Sequence, residues 1–433
     1  MKQFDVVVVG ARCAGSPLAV MLARRGLSVC LVDRAQFPSE TPSTHVIQPC
    51  GVQMLDQLGV LDAVLAAGAV PLHRMTMVID DSVRIEATLD EADYLHSSLC
   101  VRRVTLDAAL VDAAAAAGAD VRTGLRVTGL ITEDGRVTGV DTAAGPIHGQ
   151  LVVGADGRHS TVASLVGARE YHVASPGKMF AWAYFEDVHD REGHARLGRR
   201  GALGFLAGPT DGDLYMAAIG MDMADQAEFH TDRDVNFTAG IRAWPELADV
   251  IADGRRVGPI RVLTNWHGYF REAAGAGWVL VGDAGHFKDP TPGQGICDAF
   301  RQADRLAPAI EDGLGNSSPD AAMRRWWQWR DDDAYEMYWF AKDMGAPGAS
   351  SPLTTRLMRD LAGDPKATQM FFGVLNHEIR PSQLFTRTWT ARAAARALRD
   401  RPDQLIATLK EIVSAGRQNA RRARQRRISP ADT

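Results

Sequence analysis

Four β-branched residues in a row, Val6 to Val9, open the hydrophobic pattern of the chain and read as a short strand buried on both faces. The run stops at Gly10. From Ser16 to Arg25 the apolar positions recur at helical spacing, and Gly26 closes that helix. A second apolar run, Val29 to Val32, ends at Asp33. Further along, Gly51 to Gly59 reads as a helix, and Met75, Met77, Ile79, Val83 and Ile85 alternate as in a hairpin around Asp80-Asp81. Thr105 to Ala117 is helical, with Thr105 as N-cap and Gly118 as stop.

Short strands are expected around Val121, Leu125 to Thr132 and Arg136 to Asp141, with Glu133-Asp134-Gly135 as a turn. Leu151 to Asp156 and Trp278 to Asp283 return to the buried-strand pattern. Between them, Met179 to Asp187 and Asp213 to Met221 are the clearest strands of a β-rich stretch. Beyond Ile296 the pattern is helical almost throughout, including Trp326 to Trp329. The pattern divides the chain into a discontinuous α/β domain at 1–72, 98–170 and 271–313. A β-rich inserted domain takes 73–97 and 171–270, and a helical region 314–433.

Composition narrows the class. The 433 residues carry 48 basic and 53 acidic side chains, a formal −5, which gives no general reason to expect nucleic acid or an anionic membrane as partner. The five cysteines are scattered, without metal-ligand spacing, and no metal site is expected. No apolar stretch is long enough to span a bilayer, and no secretory signal precedes the first strand. A cytoplasmic α/β protein is the expectation. The Arg-rich run from Arg417 to Arg427 reads as a solvated helix face.

Strand, glycine-rich turn, helix and second strand form the order that a dinucleotide needs. The turn brings backbone N–H groups and a helix N-terminus to a pyrophosphate, and the acid after the second strand accepts from a ribose. One position departs from G-x-G-x-x-G: Arg12 stands where the middle glycine allows close backbone approach. Its side chain either folds away from the pyrophosphate or adds to phosphate binding.

Two later motifs complete the pattern. Gly154-Ala-Asp156-Gly157-Arg158 places an acid at a strand end. Gly282-Asp283-Ala-Gly-His286 does the same and runs on into Pro290-Thr-Pro292-Gly293-Gln294-Gly295-Ile296. With these three in this order the chain resembles the class A flavoprotein monooxygenases, the family of p-hydroxybenzoate hydroxylase. The likeness covers roughly residues 1 to 310. It implies a Rossmann-like, glutathione reductase-type FAD-binding α/β domain, with an inserted β-sheet substrate domain and a C-terminal helical extension.

The resemblance implies FAD as cofactor, NAD(P)H as a transient co-substrate, and molecular oxygen and a small, electron-rich organic molecule as reactants. The activity implied is oxygenation of an aromatic or polyketide-like compound through a C4a-hydroperoxyflavin. Gly10, Ala11, Arg12, Ala14 and Gly15 would meet the pyrophosphate, and Asp33 and Arg34 the adenosine ribose. Arg102 would touch the phosphate and ribityl region, with Arg103 as the alternative. Asp156 would cap a helix, serve the cofactor, or do both. Gly282 and Asp283 would meet the ribityl chain, and Pro290, Gly293, Gln294, Gly295 and Ile296 the isoalloxazine, with Thr44 near its edge.

His45 and Pro290 are the candidates nearest the reacting ring, while no general base is assigned. His286 reads as a structural hydrogen-bonding residue. Trp182, Tyr184, Phe205, Met216 and Trp266 either line a pocket over the flavin or fill a core. A geranylgeranyl-reductase-type FAD enzyme acting without oxygen is the alternative, favoured by the Arg12-Cys-Ala-Gly15 form of the first motif. A flavin halogenase fits less well, because Ala181-Trp-Ala-Tyr184 does not match that branch's W-x-W-x-I-P. Substrate identity and oligomeric state are not written in the spacing.

Overall fold

The structure is a computed structural model that describes residues 3–43, 45–80, 82–88, 96–190 and 192–426. Its central sheet is built on the first valine run. Gln3–Val9 lies between Val29–Val32 and Ile147–Gly154, all parallel, with Asp120–Arg122 and Trp278–Leu280 continuing the two sides. Helices cover a parallel sheet on both faces, so Val6, Val7 and Val8 are fully buried. The strands Val127–Glu133 and Arg136–Thr142 add an antiparallel hairpin. Both residues of its turn, Asp134 and Gly135, have positive φ, the geometry that matches hairpin twist.

A second sheet of seven strands runs Arg255–Leu263, Lys178–Glu186, Leu214–Asp222, Leu203–Thr210, His194–Arg200, Arg74–Ile79, Val83–Thr88. The hairpin on either side of Asp80 therefore pairs into the sheet of the later β-rich stretch; Asp81 itself lies outside the described residues. Alternation splits the sheet's faces. Met179, Ala181, Ala183 and Phe185 pack on Phe237, Ile241 and Leu247 of two short helices. Phe180, Trp182 and Tyr184 turn the other way.

After the long helix Gly295–Gly315, four helices begin with proline at their first position: Pro319–Met344, Pro352–Ala362, Pro365–Leu375 and Pro381–Leu384. Proline suits that place because the N–H it lacks has no helical partner there. Ser351 and Asp364 cap two of them by accepting from backbone N–H groups. Arg387–Asp400 and Leu405–Gln425 complete the chain. Phe371, Val374 and Leu361 bury themselves with Met75, Met77 and Ile85 of the second sheet. Each such fully buried side chain contributes about 1.5–3 kcal/mol, which fixes the helical region over the sheet.

Several boundaries shift by a few residues from the sequence expectation, and one of them bears on the site. The helix at 105–117 starts earlier, as Arg103–Ala116, with Arg102 at the N-cap. Thr105 is not the cap: its hydroxyl donates to Asp211 Oδ2 at 2.5 Å.

Candidate active site

A cavity of about 1660 Å³ lies between the two sheets and the C-terminal helices. It begins at the first turn. Gly10 has φ +105°, and a Cβ there would collide with the carbonyl of Ala155; one at Gly15 would collide with the carbonyl of Gly10. Both glycines are thus required by close backbone approach. Asp33 closes the turn, Oδ2 accepting from the Ala11 N–H and Oδ1 from the Ala35 N–H, each at 2.7 Å. Asp33 and Arg34 both line the cavity.

Arg12 leaves the turn. Its guanidinium donates to Asp107 Oδ2 at 2.7 Å and to Ser39 Oγ at 2.8 Å, and lies over the Phe37 ring. Asp107, fully buried, also accepts from Arg103 Nε at 2.8 Å. Burial alone would lower the Arg103 pKa, but Asp107 and Asp283 hold it up. Arg103 lines the cavity. Arg102, one residue earlier, turns to Asp211 with its N–H at 2.7 Å and Nε at 3.1 Å, and stacks on Tyr184. The structure does not bring Arg102 to the cavity wall.

Asp156 works as a cap. It accepts from the N–H groups of Thr161 at 2.6 Å and Val162 at 3.2 Å and from Ser160 Oγ at 2.5 Å, while still lining the cavity. Arg158 also reaches the cavity, tied to the Asn265 carbonyl and lying over Phe287.

The far end of the cavity is the second motif region. Gly282 has φ +63°, and its N–H donates to Gln302 Oε1 at 2.9 Å. Among the described residues no group donates a hydrogen bond to the Asp283 carboxylate, which opens to the cavity. Burial pushes its pKa up to about 6, against the pull of Arg158 and Arg103. Such a carboxylate has acceptor capacity to spare for hydroxyl donors. The turn that follows presents Pro290, Gly293, Gly295 and Ile296 to the cavity at the N-terminus of the long helix, where N–H groups favour negative charge.

That turn is braced from behind. Gln294, fully buried, donates to the carbonyls of Val374 and Leu375 at 3.3 and 2.8 Å and accepts from Lys288 Nζ at 2.8 Å. Lys288 pairs with Asp298 at 2.7 Å. Burial raises the Asp298 pKa, but Lys288 and His377 overcome it and hold the carboxyl far below its usual range. Asp289 Oδ1 accepts from Thr291, and burial pushes this acid up to about 6.

The histidine candidates sit elsewhere than on the wall or are locked in it. His45, φ +66°, is buried with its ring bonded to the Tyr184 hydroxyl, and burial lowers its pKa to about 4. It is not a cavity-lining residue. Thr44 lies outside the described residues. His286 lines the cavity but packs on Phe270 with ring centroids 4.5 Å apart, and burial lowers its pKa to about 3. Over the far end stand Phe180, Trp182, Phe205 and Met216 from the second sheet and Phe340 and Phe371 from the C-terminal helices. Tyr184 and Trp266 are off the wall. No cluster able to hold a metal ion occurs among the described residues.

Sequence reasoning did not single out Lys178, Lys288 or Asp289. The signal available was scarcity: the chain has only six lysines, and two of them line this cavity. Lys178 is tied to Asp222 at 2.8 Å and to the Ala202 carbonyl at 2.5 Å.

Residues 3–323 match the family described as FAD binding domain. A 6-methylpretetramide 4-monooxygenase of Streptomyces rimosus is 28% identical over 331 residues, 72% of this chain and 76% of the relative. A digeranylgeranylglycerophospholipid reductase of Methanococcoides burtonii is 27% identical over 315 residues, covering 69% and 72%. Among solved structures, a flavin-dependent brominase covers 93% of this chain and 100% of its own at a TM-score of 0.75. At 18% identity that is a likeness of fold alone.

Proposed function

The chain belongs to the class A flavoprotein monooxygenase family through its FAD-binding domain, and from that premise we propose that it is an NAD(P)H-dependent monooxygenase. It inserts one oxygen atom of O2 into an electron-rich aromatic or polyketide-like molecule. One cavity runs unbroken from Gly10 and Asp33 to Asp283 and the turn at Pro290, and this continuity is the main support for a ligand of FAD length. Bound FAD supplies the electron transfer from NAD(P)H and the activation of oxygen.

The residues divide the work by position. Backbone N–H groups between Arg12 and Gly15 hold the pyrophosphate, those of Gly10 and Ala11 being spent on Val32 and Asp33, and Asp33 and Arg34 hold the adenosine end. Arg103, facing the cavity, takes the phosphate role for which the family resemblance offered Arg102 first and Arg103 as the alternative. Asp283 accepts from ribityl hydroxyls. The N–H groups of Gly295 and Ile296, at the first turn of the long helix, stabilise negative charge at the pyrimidine edge of the ring. Phe180, Trp182, Met216, Phe340 and Phe371 exclude water and hold an apolar substrate.

Purified protein is expected to be yellow and to oxidise NAD(P)H faster when a substrate from a panel of phenolic compounds is present. Colourless protein that takes up no FAD on addition overturns the cofactor. The kinship with a digeranylgeranylglycerophospholipid reductase supports a second reading, hydride transfer to an unsaturated substrate without oxygen. Anaerobic turnover decides between them: product formed without oxygen excludes the monooxygenase.

A further inference from the structure

The last helix, Leu405–Gln425, turns one face inward and leaves another bare. Inward, Glu411, Ser414, Gln418, Asn419 and Arg422 line the cavity. Glu411 accepts from Ser351 Oγ and from the Leu353 N–H, and Arg422 holds Asp343 through two bonds of 2.7 Å while lying over Trp339. Outward, Leu405, Ile406, Leu409 and Val413 are 44, 69, 45 and 52% exposed. At about 100° per residue these four occupy an arc of roughly 100°, and Lys410, Arg417, Arg421 and Arg424 extend it by about 60°. All four cations are exposed, because the ion pairs of this helix go to Arg422 and Arg426 instead.

We propose that this face is a docking surface for a bilayer rich in anionic phospholipid. The local charge favours it. Residues 405 to 426 carry five arginines and one lysine against Glu411, in a chain whose net charge is −5, and Arg422 and Arg426 pair with Asp343, Asp332 and Glu336, which leaves the four cations of this face. An apolar stripe flanked by cations is the pattern of a helix lying in the plane of a headgroup layer. No helix of the described residues is long and apolar enough to cross a membrane, so the contact is peripheral. A second copy of this chain fits worse. Four aliphatic side chains fall far short of the roughly 20–30 residues a side of a stable interface, and pairing this face with itself opposes like charges. The helix is also the outer wall of the cavity, so docking sets that wall against the lipid.

The test is co-sedimentation of the full chain with vesicles of phosphatidylcholine, with and without phosphatidylglycerol, at low and high salt. Two triple variants accompany it: Ile406→Ser with Leu409→Ser and Val413→Ser, and Arg417→Gln with Arg421→Gln and Arg424→Gln. Melting temperature and circular dichroism check their fold. Partition to anionic vesicles is expected to exceed that to neutral ones by at least about tenfold, to fall with salt, and to drop about tenfold in each triple. Absent or equal partition, or partition that neither triple reduces, overturns the proposal. So does a dimer, seen by light scattering, that the apolar triple dissociates in a protein that ignores vesicles. The arginine triple replaces only exposed side chains, so it remains readable if the apolar triple misfolds.

Discussion

Arg12 and Asp107, 95 residues apart, meet with Nη1 and Oδ2 at 2.7 Å, and the contact draws the arginine out of the glycine turn. A long side chain is tolerated in the place of the middle glycine because it has somewhere else to go. Arg103 completes the arrangement from the other side of Asp107.

Replacing Arg12 by alanine is therefore expected to leave FAD affinity within about threefold and to lower stability by about 1–3 kcal/mol, as one hydrogen-bonding partner of a buried acid is lost. Asp107→Ala strands two cations and costs more, about 3–5 kcal/mol. Flavin titration and chemical denaturation measure the two quantities. A large loss of FAD affinity in Arg12→Ala would show that the guanidinium reaches the phosphates after all.

Asp283 titrates in the opposite sense to a paired carboxylate. Burial raises it from 3.8 to about 6 in the folded protein. Its contribution to stability is present below the unfolded value and is lost as pH rises through the folded one. Asp283→Asn should thus stabilise FAD-free protein by up to about 3 kcal/mol at about pH 8 and by roughly half of that at about pH 5, read as the gain in melting temperature. The same change removes an ionised acceptor, and FAD should bind about tenfold or more weakly. Wild-type FAD affinity should decline as pH falls through about 6. Equal melting gains at both pH values would refute the assignment.

Lys288 is held between Asp298 and Gln294 and is only 5% exposed. Lys288→Met leaves Asp298, whose carboxyl sits far below its usual range, without its nearest cation. The expected cost is about 3–5 kcal/mol near neutral pH, shrinking as acid protonates Asp298. Denaturant melts across pH give the answer; a cost that does not change with pH would contradict the coupling.

His45 is buried against Tyr184, away from the cavity. His45→Gln is expected to keep kcat within about threefold and to lose about 1–3 kcal/mol of stability. A kcat loss of a hundredfold in a protein with normal melting would return His45 to the chemistry.

The cofactor end of the site was legible because glycine there answers a backbone demand. Gly10 and Gly282 need positive φ, and Gly10 and Gly15 have carbonyls where a Cβ would stand; such demands leave a mark at a fixed spacing. Arginine leaves none. Arg102 and Arg103 are equivalent in sequence, and only the start of the helix at Arg103 decides that one points to Asp211 and the other to the cavity. The substrate wall was illegible for a related reason. Trp182 and Tyr184 lie on the same face of one strand, yet only Trp182 reaches the cavity. The Arg-rich tail was read from charge alone. Leu405 to Val413, the apolar residues that alter its meaning, are ordinary in sequence and unusual only in being uncovered.

The amide of Gln294 has one consequence for how this protein can be cut and recombined. Its two donors are spent on carbonyls at 374 and 375, beyond the end of the matched cofactor domain. The stretch 3–323 is for this reason not a transplantable cassette. A chimera that joins it to another relative's tail must present two carbonyls in the same places, or it leaves a buried amide unpaired directly behind the turn that faces the cavity. Swaps meant to change substrate should keep residues 365–376 with the cofactor half, moving the junction into the helices beyond.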